Sequence, residues 1–164
     1  MAYISLDQVV KRYQMGEVTI TAAEHITLDV EKGEFAIIVG PSGAGKTTVL
    51  NMLGGMDSCS SGTITVDGAL VSSYTPKQLT TYRRYDIGFV FQFYNLVQHL
   101  PALANVELPA QICKDPLDAS EGLEHVGLGN PLYTFTAPLS PGAPQRRALR
   151  RAPAPAHNLT RFTH

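Results

Sequence analysis

The chain has little cysteine, no long apolar run and no excess of either charge, and each shortage removes a class of protein. Cys59 and Cys113 are its only thiols and stand far apart with no partner pattern. Neither a disulfide framework nor a cysteine metal site can be read from them, and a reducing cytosol is the default. The longest apolar stretches, such as Phe35 to Val39, fall far below the roughly 18 residues that span a bilayer. The first dozen residues carry Asp7, Lys11 and Arg12 and lack the apolar stretch of a secretory signal. Thirteen Lys and Arg against 14 Asp and Glu leave a formal charge of -1, too balanced for a chain that holds nucleic acid or a membrane surface by overall charge. Beyond Glu124 there is no acid at all, whereas the 40 residues that follow hold five arginines.

What is present suits a folded domain. At 164 residues and 44% hydrophobic content, the chain can bury one core. Tyr3 to Tyr13 alternate unevenly between apolar and polar, and Val18 to Thr21 and His25 to Val30 continue in a β-rich manner up to the Glu31-Lys32-Gly33 turn, so an antiparallel strand set is expected. Phe35 to Val39 has the continuous apolar pattern of a strand buried on both faces of a parallel sheet. A helix is expected from Thr47 to Gly54, with Val49, Leu50 and Leu53 on its apolar face. Thr63 to Val66 predicts a strand entering an Asp67-Gly68 turn. Thr75-Pro76 opens a helix to about Arg84, and Ile87 to Phe91 is a second buried-strand candidate. Further helices are predicted over Leu103 to Cys113, broken at Pro109, and over Asp118 to Val126, where Asp118 and Glu121 form a capping box. From Pro141 the sequence turns to Pro, Ala and Arg without an apolar period, the composition of a weakly ordered tail.

One segment carries chemistry by spacing alone. Gly40-Pro41-Ser42-Gly43-Ala44-Gly45-Lys46-Thr47 fits G-x-x-x-x-G-K-[ST], between an expected strand and an expected helix. Glycines let the backbone wrap a phosphate so that successive N-H groups and the helix N-terminus face the anion. Lys46 supplies a point charge to the outer phosphates, the Thr47 hydroxyl can take a coordination place on Mg²⁺, and Thr48 is placed for one more phosphate contact. A guanine-specific enzyme is disfavoured because no Asn-Lys-x-Asp sequence is present, and a small-molecule kinase leaves the segment around residue 92 without a role.

Two stretches, EKGEFAIIVGPSGAGKTTVLNMLGGMDSCSSGTITVDG (31–68) and YDIGFVFQFYNLVQHLPALANVELP (85–109), resemble the ATP-binding subunit of ABC transporters. The likeness is to the macrolide-export and lipoprotein-release type, and it is detailed from about Ile4 to Leu139. It implies an α/β P-loop NTPase core, a parallel sheet flanked by helices, with an N-terminal antiparallel β subdomain and a partial helical subdomain. It also implies ATP and Mg²⁺ as ligands, a separate membrane permease as partner, dimerisation on ATP, and a cytoplasmic place at the membrane reached through the permease. The resemblance gives Gln92 the role of touching the metal and orienting the attacking water, and Tyr13 that of stacking on adenine. Its signature, Leu-Ser-Gly-Gly-Gln, is altered here to Leu139-Ser140-Pro141-Gly142-Ala143. Ser140 and Gly142 retain a hydroxyl and an N-H for the opposite subunit's phosphate, whereas Pro141 removes a donor and Pro144 perturbs the helix that follows.

The resemblance also marks what is lacking. Its hydrolysis uses an Asp-Glu pair at the end of an apolar strand and a later histidine, and no acid follows Glu124. His157 and His164 follow no apolar strand. The expected organisation is therefore a P-loop core over 1–92, a partial helical subdomain over 93–139 and a basic tail over 140–164, disordered or out of frame. The expected function is an ABC-type ATPase subunit, C-terminally incomplete and slow to hydrolyse; the alternative is a non-catalytic nucleotide-binding module or a degraded gene product. Losing the C-terminal strands would leave apolar surface uncovered and solubility poor.

Overall fold

The computed structural model describes residues 2–91, 96–97, 100–111 and 118–125. The chain divides into two compact units, Met1–Thr80 and Thr81–His164.

The first unit is built on one long hairpin. Strand β1 (Ile4–Met15) pairs antiparallel with β2 (Val18–Val30), and on its other side with β3 (Ser61–Val66), which pairs in turn with the short β4 (Ala69–Leu70). The sheet order is β2-β1-β3-β4, all antiparallel. The uneven alternation in β1 has a structural cause. The β1–β2 register slips between Leu6 and Val9, between Val9 and Lys11, and again before Arg12. A bulge turns consecutive residues to one side, so Leu6, Val9 and Val10 are all buried, and Lys11 is buried with them. Gln8 and His25 take positive φ at this irregularity, and the Gln8 Nε2 donates to Thr27 Oγ1 at 3.0 Å. The Asp67-Gly68 turn joins β3 to β4 as the sequence predicts.

Helix α1 (Lys46–Leu53) packs Val49, Met52 and Leu53 inward, with Leu50 only partly covered. Gly54 and Gly55 end it, their N-H groups returning to the carbonyls of Leu50 and Met52. A 3-10 turn (Val71–Ser73) leads to α2 (Pro76–Tyr85). The start of α2 is a reciprocal cap in which Gln78 Oε1 accepts the Thr75 N-H at 2.9 Å and Thr75 Oγ1 accepts the Gln78 N-H at 3.4 Å.

Two of the predicted strands are not strands here. Phe35 to Val39 is irregular, with Phe35, Ile37 and Val39 exposed at 74%, 70% and 83%, and Ile87 to Phe91 is irregular too. A central strand exists by its ladder of hydrogen bonds to neighbours, and among the described residues no strand runs beside either segment. The apolar pattern was a property of the sequence; the pairing partner is what the described residues lack.

The second unit holds α3 (Ala102–Ala110) and α4 (Ala119–His125), packed through Ala102, Val106 and Leu123. Pro109 lies inside α3, and the helix ends one residue later rather than at Cys113. Asp118 caps α4 by accepting the N-H groups of Ser120 and Glu121, both at 3.0 Å. Asn105 is fully buried and fully used: its Oδ1 accepts the Val97 N-H at 2.8 Å, while its Nδ2 donates to the carbonyls of Val97, Leu100 and Pro101.

Candidate phosphate-binding site

The loop from Gly40 to Gly45 leads directly into α1, and its backbone fixes which residues it accepts. Gly43 and Gly45 have φ of +83° and +80°, the left-handed region that glycine enters without steric cost. At Gly45 a second constraint is added, because a Cβ would lie 2.1 Å from the Ala22 carbonyl oxygen in β2. The phosphate loop is thus anchored against the hairpin by a contact that only glycine permits. Closer to the mouth, a Cβ on Gly40 would meet the Ala44 Cβ at 3.3 Å, so the turn is tight as well as bare. The turn closes with the Ala44 N-H donating to the Pro41 carbonyl at 3.2 Å.

Gly45 is the N-cap of α1 and no side chain caps this end, nor is any acid present in the first turn. A helix N-terminus carries about half a positive charge, which favours an anion nearby; α1 has no acidic side chain of its own in that turn. Lys46 lies half-buried with its Nζ donating to the carbonyls of Gly40 at 3.0 Å and Pro41 at 2.8 Å. Its ammonium is therefore held over the loop whose backbone curls beneath it. Ser42 and Ala44 lie exposed on the same turn, and Thr47 is exposed at the second position of the helix. A polyphosphate fits this set: glycine-only backbone, an uncapped helix start and a cation folded over both.

A second cluster adjoins the first turn of α1. Tyr13, exposed at 37%, donates its hydroxyl to Asp57 Oδ2 at 2.6 Å, and the Thr48 side chain also bonds to this phenol. Lys11 donates to Asp57 Oδ1 at 2.5 Å and to the Ser58 carbonyl at 2.7 Å, and its Nζ stands 4.8 Å from the centre of the Tyr13 ring. Partial burial works to raise the Asp57 carboxyl, but the bonds from Lys11, Tyr13 and the Ser58 N-H outweigh it and hold the group below its ordinary value. The Tyr13 phenol is pushed up, chiefly by its bond to Asp57, then by burial and the negative charge beside it. Sequence reading singled out Tyr13 and missed Asp57 and Lys11. Asp57 is 44 and 46 residues from its partners, and nothing within its own turn signals them.

The structure brings Tyr13 and Thr48 together at the head of the helix that the loop residues Gly40 to Lys46 introduce. Gln92, Ser140 and Gly142 lie outside the described residues. Among the described residues, no cluster of three or more metal-ligating side chains is formed and no helix is long and apolar enough to cross a membrane.

Comparison with known proteins agrees with this geometry. Residues 23–160 match the family described as ABC transporter, a match that runs well into the basic stretch after Pro141. The macrolide export ATP-binding/permease protein MacB of Rhodopirellula baltica is 41% identical over 149 residues, 87% of this chain and 22% of that one. The lipoprotein-releasing system ATP-binding protein LolD of Shewanella frigidimarina is 38% identical over 156 residues, 92% of this chain and 65% of that one. The chain spans about two thirds of the length of several such relatives. Among solved structures, the dimeric post-hydrolysis state of the ATP-binding cassette MJ0796 bound to ADP and phosphate superposes with a TM-score of 0.81 at 37% identity, covering 91% of this chain and 68% of that one. The α/β P-loop NTPase fold is thereby borne out, including its antiparallel β portion. With the phosphate loop, the helix it opens and a family match over most of the residues all in agreement, the chain belongs to the ABC transporter family and carries its ATP-binding fold.

Proposed function

We propose that the chain is the ATP-binding subunit of an ABC transporter, coupling ATP binding to transport through a separate membrane permease. The observation that carries this is the Gly40–Thr48 segment, in which Gly45 is locked against Ala22, the start of α1 is uncapped and Lys46 folds over the loop. In this reading the backbone N-H groups from Gly40, Ser42, Gly43 and Gly45 through the first turn surround the phosphates, with Pro41 stiffening the turn and Ala44 closing it by its N-H bond to the Pro41 carbonyl. Lys46 swings from its carbonyls to the outer phosphates. Thr47 and Gln92 would hold Mg²⁺, which would supply positive charge against the phosphates. Gln92 also orients the attacking water, its amide offering both a donor and an acceptor. Tyr13 stacks on the adenine.

The chain is organised as a P-loop core over 1–92, a partial helical subdomain over 93–139 and the basic stretch 140–164. Ser140 and Gly142 address the nucleotide of a second cassette in a dimer, weakly because Pro141 and Pro144 disturb the signature. The subunit works on the cytoplasmic face of the membrane, held there by the permease. Turnover by the 164-residue polypeptide is slow, because its groups position phosphate and water while no carboxylate after Glu124 polarises the water.

Calorimetry with Mg-ATP tests the reading. Binding that falls by about 10- to 100-fold in Lys46→Ala is expected, the size of a charged hydrogen-bond loss. Phosphate release should stay near background in both. Equal ATP affinity in the two proteins would overturn the site, and rapid Lys46-dependent release would overturn the claim of slow turnover.

A further inference from the structure

The Asp57 carboxylate joins two groups that sequence places far from it. One oxygen receives the Tyr13 hydroxyl, and the other receives the Lys11 ammonium and the Ser58 N-H. Asp57 is itself fixed by its N-H, which donates to the Asn51 carbonyl at 3.2 Å where α1 ends. The carboxylate therefore ties the far end of the hairpin to the helix that begins at the phosphate loop. Lys11 is buried and also tethered to the Ser58 carbonyl, so it stands over one face of the Tyr13 ring as a fixed cation.

The surroundings of the ring are apolar and open. No register shift follows Arg12, so Tyr13 faces Ile20 and Met15 faces Val18 across the hairpin. Alternation puts all four side chains on one face of the ribbon. Met15, Val18 and Ile20 are exposed at 65%, 61% and 46%. An exposed tyrosine on a two-stranded ribbon rotates among side-chain wells, and a flat ligand that stacks on it must first select one. A hydroxyl gripped by a fixed carboxylate removes that search.

We propose that Asp57 is a positioning residue for base recognition: by holding the Tyr13 hydroxyl and the Lys11 ammonium together, it presets the ring with one face against the cation and the other towards a nucleobase. This rests on the reading of Tyr13 as the base platform, and it adds a residue outside the phosphate loop that sets affinity for the base without touching the ligand. A preset ring improves binding by the cost of immobilising one side chain, a factor of about three to ten. The phosphates gain nothing from it.

The test compares Mg-ATP with Mg-tripolyphosphate, which has phosphates and no base, on the 164-residue chain by calorimetry. Asp57→Asn should weaken ATP about three- to tenfold and leave tripolyphosphate unchanged. Tyr13→Phe keeps the ring and loses the hydroxyl's bonds to both Asp57 and Thr48, so it should weaken ATP at least as much as Asp57→Asn, and adding Asp57→Asn to it should cost little more. Should Asp57→Asn fail to fold because Lys11 loses its carboxylate, Tyr13→Phe carries the comparison alone. Equal weakening of both ligands would make Asp57 merely structural, and undiminished ATP affinity in Tyr13→Phe would remove the tether's role; either overturns the proposal. Tyr13→Ala and Lys46→Ala separate the layers. A loss of ATP selectivity in Tyr13→Ala without one in Tyr13→Phe sinks Asp57 alone, whereas unchanged selectivity in Tyr13→Ala sinks the base platform with it. Insensitivity of both ligands to Lys46→Ala would sink the nucleotide reading itself.

Discussion

Gly43 and Gly45 offer a controlled comparison, because they share a backbone conformation and differ in what surrounds them. Both have φ near +80°, but a Cβ at Gly43 meets nothing within 4 Å, whereas one at Gly45 meets the Ala22 carbonyl oxygen at 2.1 Å and its carbon at 3.3 Å. Alanine in the left-handed region costs about 1–2 kcal/mol, slightly offset by the smaller entropy of its unfolded chain. Gly43→Ala should therefore destabilise the first unit by about 1 kcal/mol. At Gly45 the same strain applies, and the clash is with backbone, so no side-chain rotation relieves it. Either the loop or β2 must move, at an added cost of about 1–3 kcal/mol by analogy with overpacked interiors. For a domain of this size each kcal/mol lowers Tm by about 4–8 °C. Urea unfolding followed by circular dichroism gives the two costs, and ATP calorimetry gives their functional echo. The two substitutions should differ by at least about 1 kcal/mol in stability, and Gly45→Ala should lose nucleotide affinity more severely because the displaced segment is the start of α1. Equal destabilisation by the two would refute the claim that Ala22 anchors the loop.

The Asp57 cluster predicts opposite behaviour at the two ends of the pH scale. Its carboxyl is held below the ordinary 3.8, so its contribution to stability is complete above that value and is lost as pH falls through the lower folded value. Acid unfolding curves of the parent and Asp57→Asn should converge below pH 3.8; a constant gap there would contradict the linkage. The Tyr13 phenol is raised above 10.0, so its contribution is intact below that pH and is lost as pH rises through the higher folded value. Ultraviolet titration, with Tyr13→Phe subtracted to isolate this group among seven tyrosines, should show late ionisation that moves earlier in Asp57→Asn. In the second unit, Asn105→Ala removes the side-chain partner of the Val97 N-H and of the Leu100 carbonyl, whereas the Val97 and Pro101 carbonyls keep their backbone bonds from the N-H groups of residues 100 and 105. The expected cost is about 1–3 kcal/mol, with faster hydrogen exchange at Val97; unchanged exchange there would show that Asn105 does not hold the segment.

The parts of the site legible in the sequence are those whose cause lies within a few residues. Gly43, Gly45 and Lys46 announce themselves because a left-handed turn, an uncapped helix start and a nearby cation all fall inside one eight-residue pattern. Thr75 with Pro76, Asp118 with the first turn of α4, and Gly54-Gly55 after α1 were readable for the same reason, since a cap acts on its own helix end. The antiparallel hairpin was readable as strands, but its bulges were visible only as uneven alternation, because slips of register are fixed by pairing across the ribbon. Phe35 to Val39 shows the reverse failure. Its composition satisfies every rule for a buried strand, yet burial and laddering are supplied by other segments, and among the described residues none supplies them. The same logic explains why Tyr13 could be named and Asp57 could not. An aromatic on an exposed ribbon invites a stacking role by itself, whereas an acid in a turn becomes a positioning group only when strand β1 and the end of helix α1 converge to place a phenol and an ammonium on its two oxygens. Function at such a cluster is a property of the convergence, so it is there, more than in the phosphate loop, that substitutions distant in sequence should prove non-additive.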